Sequence, residues 1–266
     1  MAALTSQEVA TYHRDGYLVP AFSLSAEKLA GLRQALDTVI ADNPDVRPEK
    51  LVSVHIEGRN DEGVVGNRLF LDIARDPDIL DLVEQIIGPD IILWGCQAFC
   101  KPGGDGLEVP FHQDGQYWPI RPLATCTVWI AIDDSVVENG CLRVVAGSHE
   151  PKSVVNHVDD ARENLTLTQA VEASALDGAD IHDVELKAGQ MSLHDVYLVH
   201  GSNPNHSDKR RAGLAIRYMP ATSVFERNLI SRSASSGFTV DFSTRPLWLL
   251  RGEDKTRSND FEVGHH

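Results

Sequence analysis

The spacing of apolar positions along this chain changes near residue 90. Before that point they recur at helical steps. In "SAEKLAGLRQALDTVIADNP", Leu29, Leu32, Leu36 and Ile40 fall on one face, Ser25 stands at the N-cap and Pro44 ends the run. "TSQEVATYHRDG" reads as a shorter helix, opened by a Ser/Thr cluster followed by Glu8 and stopped at Gly16, with "GYLVP" a short strand after it. "DPDILDLVEQIIGPD" reads as a helix closed by Gly88 and Pro89, and residues 43–66 are polar and irregular. From "IILWGCQAFCKPG" onward the pattern is different. "VPFHQD", "ATCTVWIAIDD", "GCLRVVAGSH", "GQMSLHD", "YLVHG" and "RRAGLAIRYMP" are short apolar or alternating runs broken by Gly, Pro and Asp, which is how strands of a sandwich or barrel read. Helices first and strands afterwards make an α+β plan. The architecture that fits is a double-stranded β-helix, the cupin-like jelly roll, with the N-terminal helices packed on one sheet, because such sheets enclose a pocket between their faces. No repeat, low-complexity tract or linker interrupts the 266 residues, so one domain over 1–266 is expected.

Charge and composition narrow the function. The formal net charge is −15 with no basic stripe, which argues against nucleic acid as a partner and favours a small-molecule substrate. No apolar run approaches a membrane span, and the N-terminus has no secretory h-region, so no membrane association and a cytoplasmic location are expected. Cys96, Cys100, Cys126 and Cys141 form no CxxC pair and lie mainly in strand-like runs, as buried free thiols do in a reducing compartment. The acidic stretch 157–185 reads either as a solvated connection or, being long, as a lid. The terminal "GHH" resembles the start of an expression tag, so His265 and His266 are set aside.

"VPFHQDGQYWPIRP" carries the candidate chemistry. His112 and Asp114 stand two apart, a spacing that puts both side chains on one face of a strand. Alone this is weak: composition predicts roughly 1.6 His-x-acid pairs by chance. The chain has five, at His13/Asp15, His55/Glu57, His112/Asp114, His157/Asp159 and His206/Asp208. Only 112/114 lies within the strand-rich block with suitable companions downstream. His200, at the end of "YLVHG", supplies a third ligand, and two histidines with one carboxylate form the facial triad of non-heme Fe(II) oxygenases. Arg211, eleven residues on at the head of a strand, offers the bidentate cation that the far carboxylate of 2-oxoglutarate needs, and Ser202 a hydroxyl beside it. Singly, His200 also fits a core histidine and Arg211 a surface one; the conjunction carries the reading.

Those residues sit in segments that resemble the phytanoyl-CoA dioxygenase family of Fe(II)- and 2-oxoglutarate-dependent oxygenases, over nearly the whole chain. "YHRDGYLVPAFSLSAEKLAGLRQALD" resembles the family's opening, "KPGGDGLEVPFHQD" its approach to the HxD, "ENGCLRVVAGSH" its central turns and "HGSNPNHSDKRR" its distal His-to-Arg step; "PLWLLRGEDKTRSNDF" also has its look. The resemblance implies that His112, Asp114 and His200 are catalytic iron ligands and that Arg211 and Ser202 hold 2-oxoglutarate. It further implies that Trp129, one residue short of the family spacing, lines that pocket, and that Gln97 contacts the co-substrate. It implies a dioxygenase using O2 and releasing succinate and CO2, and Asp114, where related halogenases carry a small residue, implies hydroxylation rather than halogenation. Tyr117, Trp118, Arg121, His55, Asn67 and Arg217 are the candidate substrate contacts. Two other readings stay open: a metal-dependent cupin-type enzyme with non-oxidative chemistry, and a non-catalytic ligand-binding member of the fold. Nothing in the sequence selects among the family's acyl thioester, amino acid, ectoine, phosphonate and natural-product substrates, although the lack of a basic patch disfavours an acyl-CoA.

Overall fold

Thr5 caps the first helix, α1 (Ser6–Asp15), in the computed structural model, which describes residues 2–229, 231–232 and 239–265. The Thr5 hydroxyl accepts from the Glu8 N–H at 3.2 Å, and the Glu8 carboxylate accepts from the Thr5 N–H at 2.7 Å, a reciprocal capping box. Gly16 closes the helix at φ 80°, and a Cβ there would lie 2.5 Å from His149 Nδ1, so conformation and space both require glycine. Helix α2 (Ala26–Asp42) is capped by Ser25 and buries Leu32, Leu36 and Val39. Helix α3 (Arg68–Ala74) has only seven residues, too few for its period to stand out in the sequence; Asn67 caps it, its side chain accepting from the Leu69 N–H at 2.9 Å. Helix α4 (Pro77–Ile87) starts with Asp76 as cap and proline at its first position, where a missing N–H costs nothing.

The strands form two principal antiparallel sheets. The larger contains β1 (Tyr17–Leu18), β2 (Leu51–Val52), β3 (Ile91–Lys101), β5 (Cys126–Ala131), β10 (Met191–Asp195), β12 (Arg211–Pro220) and β13 (Trp248–Arg251), between which the smaller sheet's strands fall in sequence: β4 (Val109–His112), β6 (Leu142–Val145), β9 (Ile181–Val184) and β11 (His200–Ser202). The large sheet runs β1-β10-β5-β12-β3-β13, with β2 also paired to β3, and the small sheet β9-β6-β11-β4. Residues 146–180 carry an antiparallel hairpin of β7 (His157–Asp159) and β8 (Gln169–Val171).

Strand alternation assigns the two faces of the large sheet. Val128, Ile130, Leu214 and Ile216 share one core with Leu32, Leu36, Phe70, Ile79 and Val83 of the helices. The intervening Trp129, Ala131 and Ala215 face inward and pack on Leu142, Val144 and Val184 of the small sheet. The result is a jelly roll backed by helices on one sheet, as the pattern of the sequence indicates. Two local expectations fail. "YLVHG" is not a strand up to His200: Asp195 turns the chain, its carboxylate accepting from the Tyr197 N–H at 2.9 Å and its carbonyl from the Leu198 N–H at 3.0 Å, and β11 begins at His200. Strand β4 ends at His112, and Asp114 opens a 3₁₀ turn instead of continuing the strand. All four cysteines are free and buried. No helix of the described residues is long and apolar enough to cross a membrane.

Candidate functional site

Pairing of β11 with β4 sets His200 opposite His112, their ring centroids 4.3 Å apart. Each imidazole is oriented by its own backbone: His112 Nδ1 lies 2.9 Å from the Pro110 carbonyl and His200 Nδ1 lies 3.0 Å from the Leu198 carbonyl. With a proton on each Nδ1, both Nε2 lone pairs are free for a metal. Although Asp114 leaves the strand, its carboxylate returns to this point. His112 Nε2 is 3.6 Å from Asp114 Oδ1, longer than a good hydrogen bond, and one ligand atom from each of His112, Asp114 and His200 lies within 4.8 Å of the others. Burial alone would raise the Asp114 carboxyl, but the imidazoles of His112 and His194, with His200 and Arg217 beyond, hold it well below the usual carboxylate range. Burial, then the neighbouring His112, pushes His200 down to about 3. Two imidazoles and an ionised carboxylate, buried and spaced apart, are the donor set a divalent metal of intermediate softness takes, so these residues could hold Fe(II).

Strand β12 places Arg211 beside this cluster. It is buried, pairs in register with Lys101, and sits with its guanidinium carbon 5.5 Å from the Trp129 ring centre. Its Nε donates to the Gly140 carbonyl at 3.0 Å and its Nη2 to Ser202 Oγ at 3.3 Å. Burial lowers its pKa to about 10, which still leaves it charged. Lys101, not foreseen from the sequence, is buried next to it and donates to the Ser202 and Asn203 carbonyls. Burial and the Arg211 charge push its amine down to about 6. Trp129 can lie across β12 because residue 213 is glycine: a Cβ there would stand 2.1 Å from the indole. Gln97 shares the inner face but accepts from Arg217 Nη2 at 3.0 Å, so the structure puts it toward the end of β12 away from Arg211.

The candidate substrate contacts divide. Trp118 is buried edge-on to Trp94 with centroids 4.5 Å apart, Tyr117 meets the His157 ring at 6.5 Å, and Arg217 sits over both Trp94 and Trp118. His55 is buried against Trp248, and burial followed by the charges of Arg245 and Arg217 holds its pKa well below normal. Asn67 and Arg121 have other work: the first caps α3, and the second, exposed, donates to the Trp118 and Ile120 carbonyls of its own loop at 3.2 and 2.7 Å. Sequence reading missed His194 as well. It is buried on β10, its ring 4.9 Å from that of His200 and its Nε2 3.8 Å from Asp114 Oδ2, and "MSLHD" held the signal, a histidine alternating with core residues. The 146–180 segment is bound to the HxD itself. The Gln113 amide donates to the Ser153 and Tyr197 carbonyls at 3.2 and 2.6 Å and accepts from the Val155 N–H at 2.8 Å, while the Gln113 N–H donates to His157 Nε2 at 3.1 Å.

Comparison with known proteins agrees with this geometry. The sequence profile of phytanoyl-CoA dioxygenase (PhyH) matches residues 12–213. A phytanoyl-CoA dioxygenase domain-containing protein 1 homolog of Dictyostelium discoideum is 25% identical over 256 residues, covering 81% of this chain and 91% of that one. An ectoine dioxygenase of Bordetella parapertussis is 26% identical over 243 residues, covering 81% and 75%. A probable alpha-ketoglutarate-dependent hypophosphite dioxygenase of Stutzerimonas stutzeri is 31% identical over 151 residues, 56% of this chain and 52% of that one. Among solved structures, EctD from S. alaskensis with 2-oxoglutarate and 5-hydroxyectoine superposes with a TM-score of 0.68 at 19% identity, covering 100% of this chain and 88% of that one. The epimerase SnoN with Fe3+, alpha ketoglutarate and nogalamycin RO gives 0.67 at 23% identity, covering 87% and 91%. These two likenesses are of fold.

Proposed function

The chain belongs to the phytanoyl-CoA dioxygenase family and is an Fe(II)- and 2-oxoglutarate-dependent dioxygenase, and from that premise we propose that it hydroxylates a C–H bond of a small-molecule substrate. In this reading His112, Asp114 and His200 hold the iron, Arg211 and Ser202 hold the far carboxylate of 2-oxoglutarate, and Trp129 walls that pocket. The chain acts as one domain, 1–266, in the cytoplasm, a compartment its four buried free thiols suit.

Bound iron and 2-oxoglutarate supply the oxidative chemistry: decarboxylation to succinate and CO2 coupled to transfer of oxygen from O2 to the substrate. The chain's own part is to bind, orient and shield. Carbonyl bonds at Nδ1 keep both histidines facing the metal position, and Asp114 stays anionic at the pH of the cell. A carboxylate ligand there leaves no place for halide, which suits oxygen transfer. Arg211 and Ser202 fix one end of the co-substrate, each hydrogen bond to a charged group being worth about 1.5–3 kcal/mol.

Support for these roles comes from one observation: His200 converges with the distant His112–Asp114 pair within 4.8 Å, with buried Arg211 and Trp129 on the facing sheet and Arg211 bonded to buried Ser202 on the histidines' own sheet. A non-oxidative metal reaction has no use for that second group. Anaerobic titration with Fe(II) and 2-oxoglutarate tests the reading. A weak visible charge-transfer band is expected; Arg211→Ala should weaken 2-oxoglutarate binding by about a hundredfold or more, from two charge-assisted bonds lost. Persistence of the band in an Asp114→Ala, His200→Ala double variant refutes the ligand assignment.

A further inference from the structure

Arg217 stands six residues beyond Arg211 on β12, on the same inner face. The two lie roughly 20 Å apart along the strand at about 3.3 Å per residue. Between them on that face come Gly213, over which Trp129 lies, and Ala215, so β12 itself sends no large side chain inward between the two arginines. The Arg217 guanidinium is set 5.5 Å from the Trp94 ring centre and 5.2 Å from that of Trp118. Its Nη2 donates to Gln97, while its Nε is buried and has no hydrogen-bond partner among the described residues. A guanidinium carries five N–H donors. Whichever Nη2 hydrogen Gln97 engages, the other lies next to an N–H of Nε or Nη1, and the two make a fork for an acid group.

Neighbouring charges leave Arg217 unbalanced. Arg245 lies close enough to repel it, and is already paired with Glu62 and Ser53. Asp114 attracts it, but in the proposed reading that carboxylate belongs to the metal. Thr127, in register with Arg217 on β5, and His194, in register with Thr127 on β10, also have buried polar atoms that make no hydrogen bond among the described residues, although His194 Nε2 lies 3.8 Å from Asp114 Oδ2. A desolvated cation with free donors costs stability unless something completes it, and in a chain of net charge −15 it is not explained by a general basic surface.

We propose that Arg217 binds an acid group of the primary substrate, a carboxylate or a phosphonate or phosphate. The substrate is thus an organic anion whose acid end is held at the Arg217 guanidinium, beside the touching rings of Trp94 and Trp118, with the oxidised C–H toward the proposed metal cluster. This rests on the oxygenase reading of the same site.

The test uses the full chain under anaerobic conditions with Fe(II) and saturating 2-oxoglutarate, so that Arg211 is engaged. Phenylacetate and phenylphosphonate are titrated against their neutral counterparts, phenylacetamide and dimethyl phenylphosphonate, following tryptophan fluorescence. At least one acid should quench saturably and bind about tenfold or more tighter than its neutral partner; which acid does so separates carboxylate from phosphonate. Arg217→Gln should abolish that preference and Arg217→Lys keep part of it, both retaining the charge-transfer band. Equal binding of acid and neutral compound, no quenching by either acid, or wild-type binding in Arg217→Gln overturns the proposal. So does a large fall in unfolding temperature in both variants, which would mark a packing strut. A wild-type protein without the band, by contrast, sinks the oxygenase reading, and acid binding is then read separately in metal-free protein.

Discussion

Gly213 governs the proposed co-substrate end through an absent atom. Because a Cβ would stand 2.1 Å from the Trp129 ring, Gly213→Ala must displace the indole from beside Arg211 while leaving the β12 ladder intact. Overpacking of this kind costs about 1–3 kcal/mol. Anaerobic titration should show 2-oxoglutarate bound about tenfold more weakly, with Trp129→Phe in the same chain recovering part of the loss. Lys101 makes a second prediction, of sign. Its folded pKa of about 6 is below the unfolded value of about 10.4, so the unfolded chain holds more protons between them and this group's contribution to stability rises with pH across that window. Urea melts of wild type and Lys101→Met at pH 6 and 9 should show the wild type gaining more on the alkaline step. At this scale the sequence revealed residues whose chemistry is unusual in its setting: an HxD in a strand-rich block, an arginine at a strand head. It hid Lys101 and His194, because a single lysine or histidine in an apolar run is legible as functional only once the facing sheet is in place.

Gln113 does for an element what Gly213 does for a side chain. Lying between two proposed iron ligands, it turns away from them and ties residues 153–157 and Tyr197 to the end of β4. Gln113→Ala therefore leaves two carbonyls and one N–H near the metal cluster without their partner, at about 1–3 kcal/mol for each group left buried and unsatisfied. The expected outcome is faster proteolytic cleavage within 150–180 and faster amide exchange in β7 and β8, with α1 and α2 unchanged; equal cleavage rates would show that the hairpin is held otherwise. Elements with a long or clean period were legible before the structure, among them α2, α4, β5 and β12. Short ones were not: α3 spans two turns, β2 is two residues long, and a side-chain-to-backbone turn at Asp195 displaced the strand expected before His200. The two-residue spacing of His112 and Asp114 suggested a shared strand face, but the carboxylate reaches the cluster from a 3₁₀ turn. Convergence was anticipated correctly for a backbone reason that differs from the actual one.

Across the whole molecule, the two faces of one sheet do opposite work. The helix-side face is continuous apolar core, and Cys96, Cys100 and Cys126 belong to it. The inner face holds Arg211, Lys101, Trp129, Gln97, His194 and Arg217. This division followed from strand alternation and was readable in outline, whereas the order in which strands pair was not. It also determines how stability responds to alkali. Burial pushes the thiols of Cys100 and Cys126 up to about 12 and that of Cys141 to about 11, with Cys96 higher still. Unfolded thiols ionise near 8.5, so the folded chain holds more protons above that pH; the stability this linkage contributes is complete below about 8.5 and is lost as pH rises toward the folded values. Lys101 acts in the opposite sense, but it is one group against four and its window closes near 10.4. Stability should therefore fall between pH 9 and 11, which the urea midpoint measures. Replacing Cys96 and Cys126 by alanine should flatten that fall while lowering the midpoint at pH 7, through the cavities left in the helix-side core. If the thiols are sealed as the structure has them, a thiol reagent at pH 8 will label them no faster than the chain unfolds.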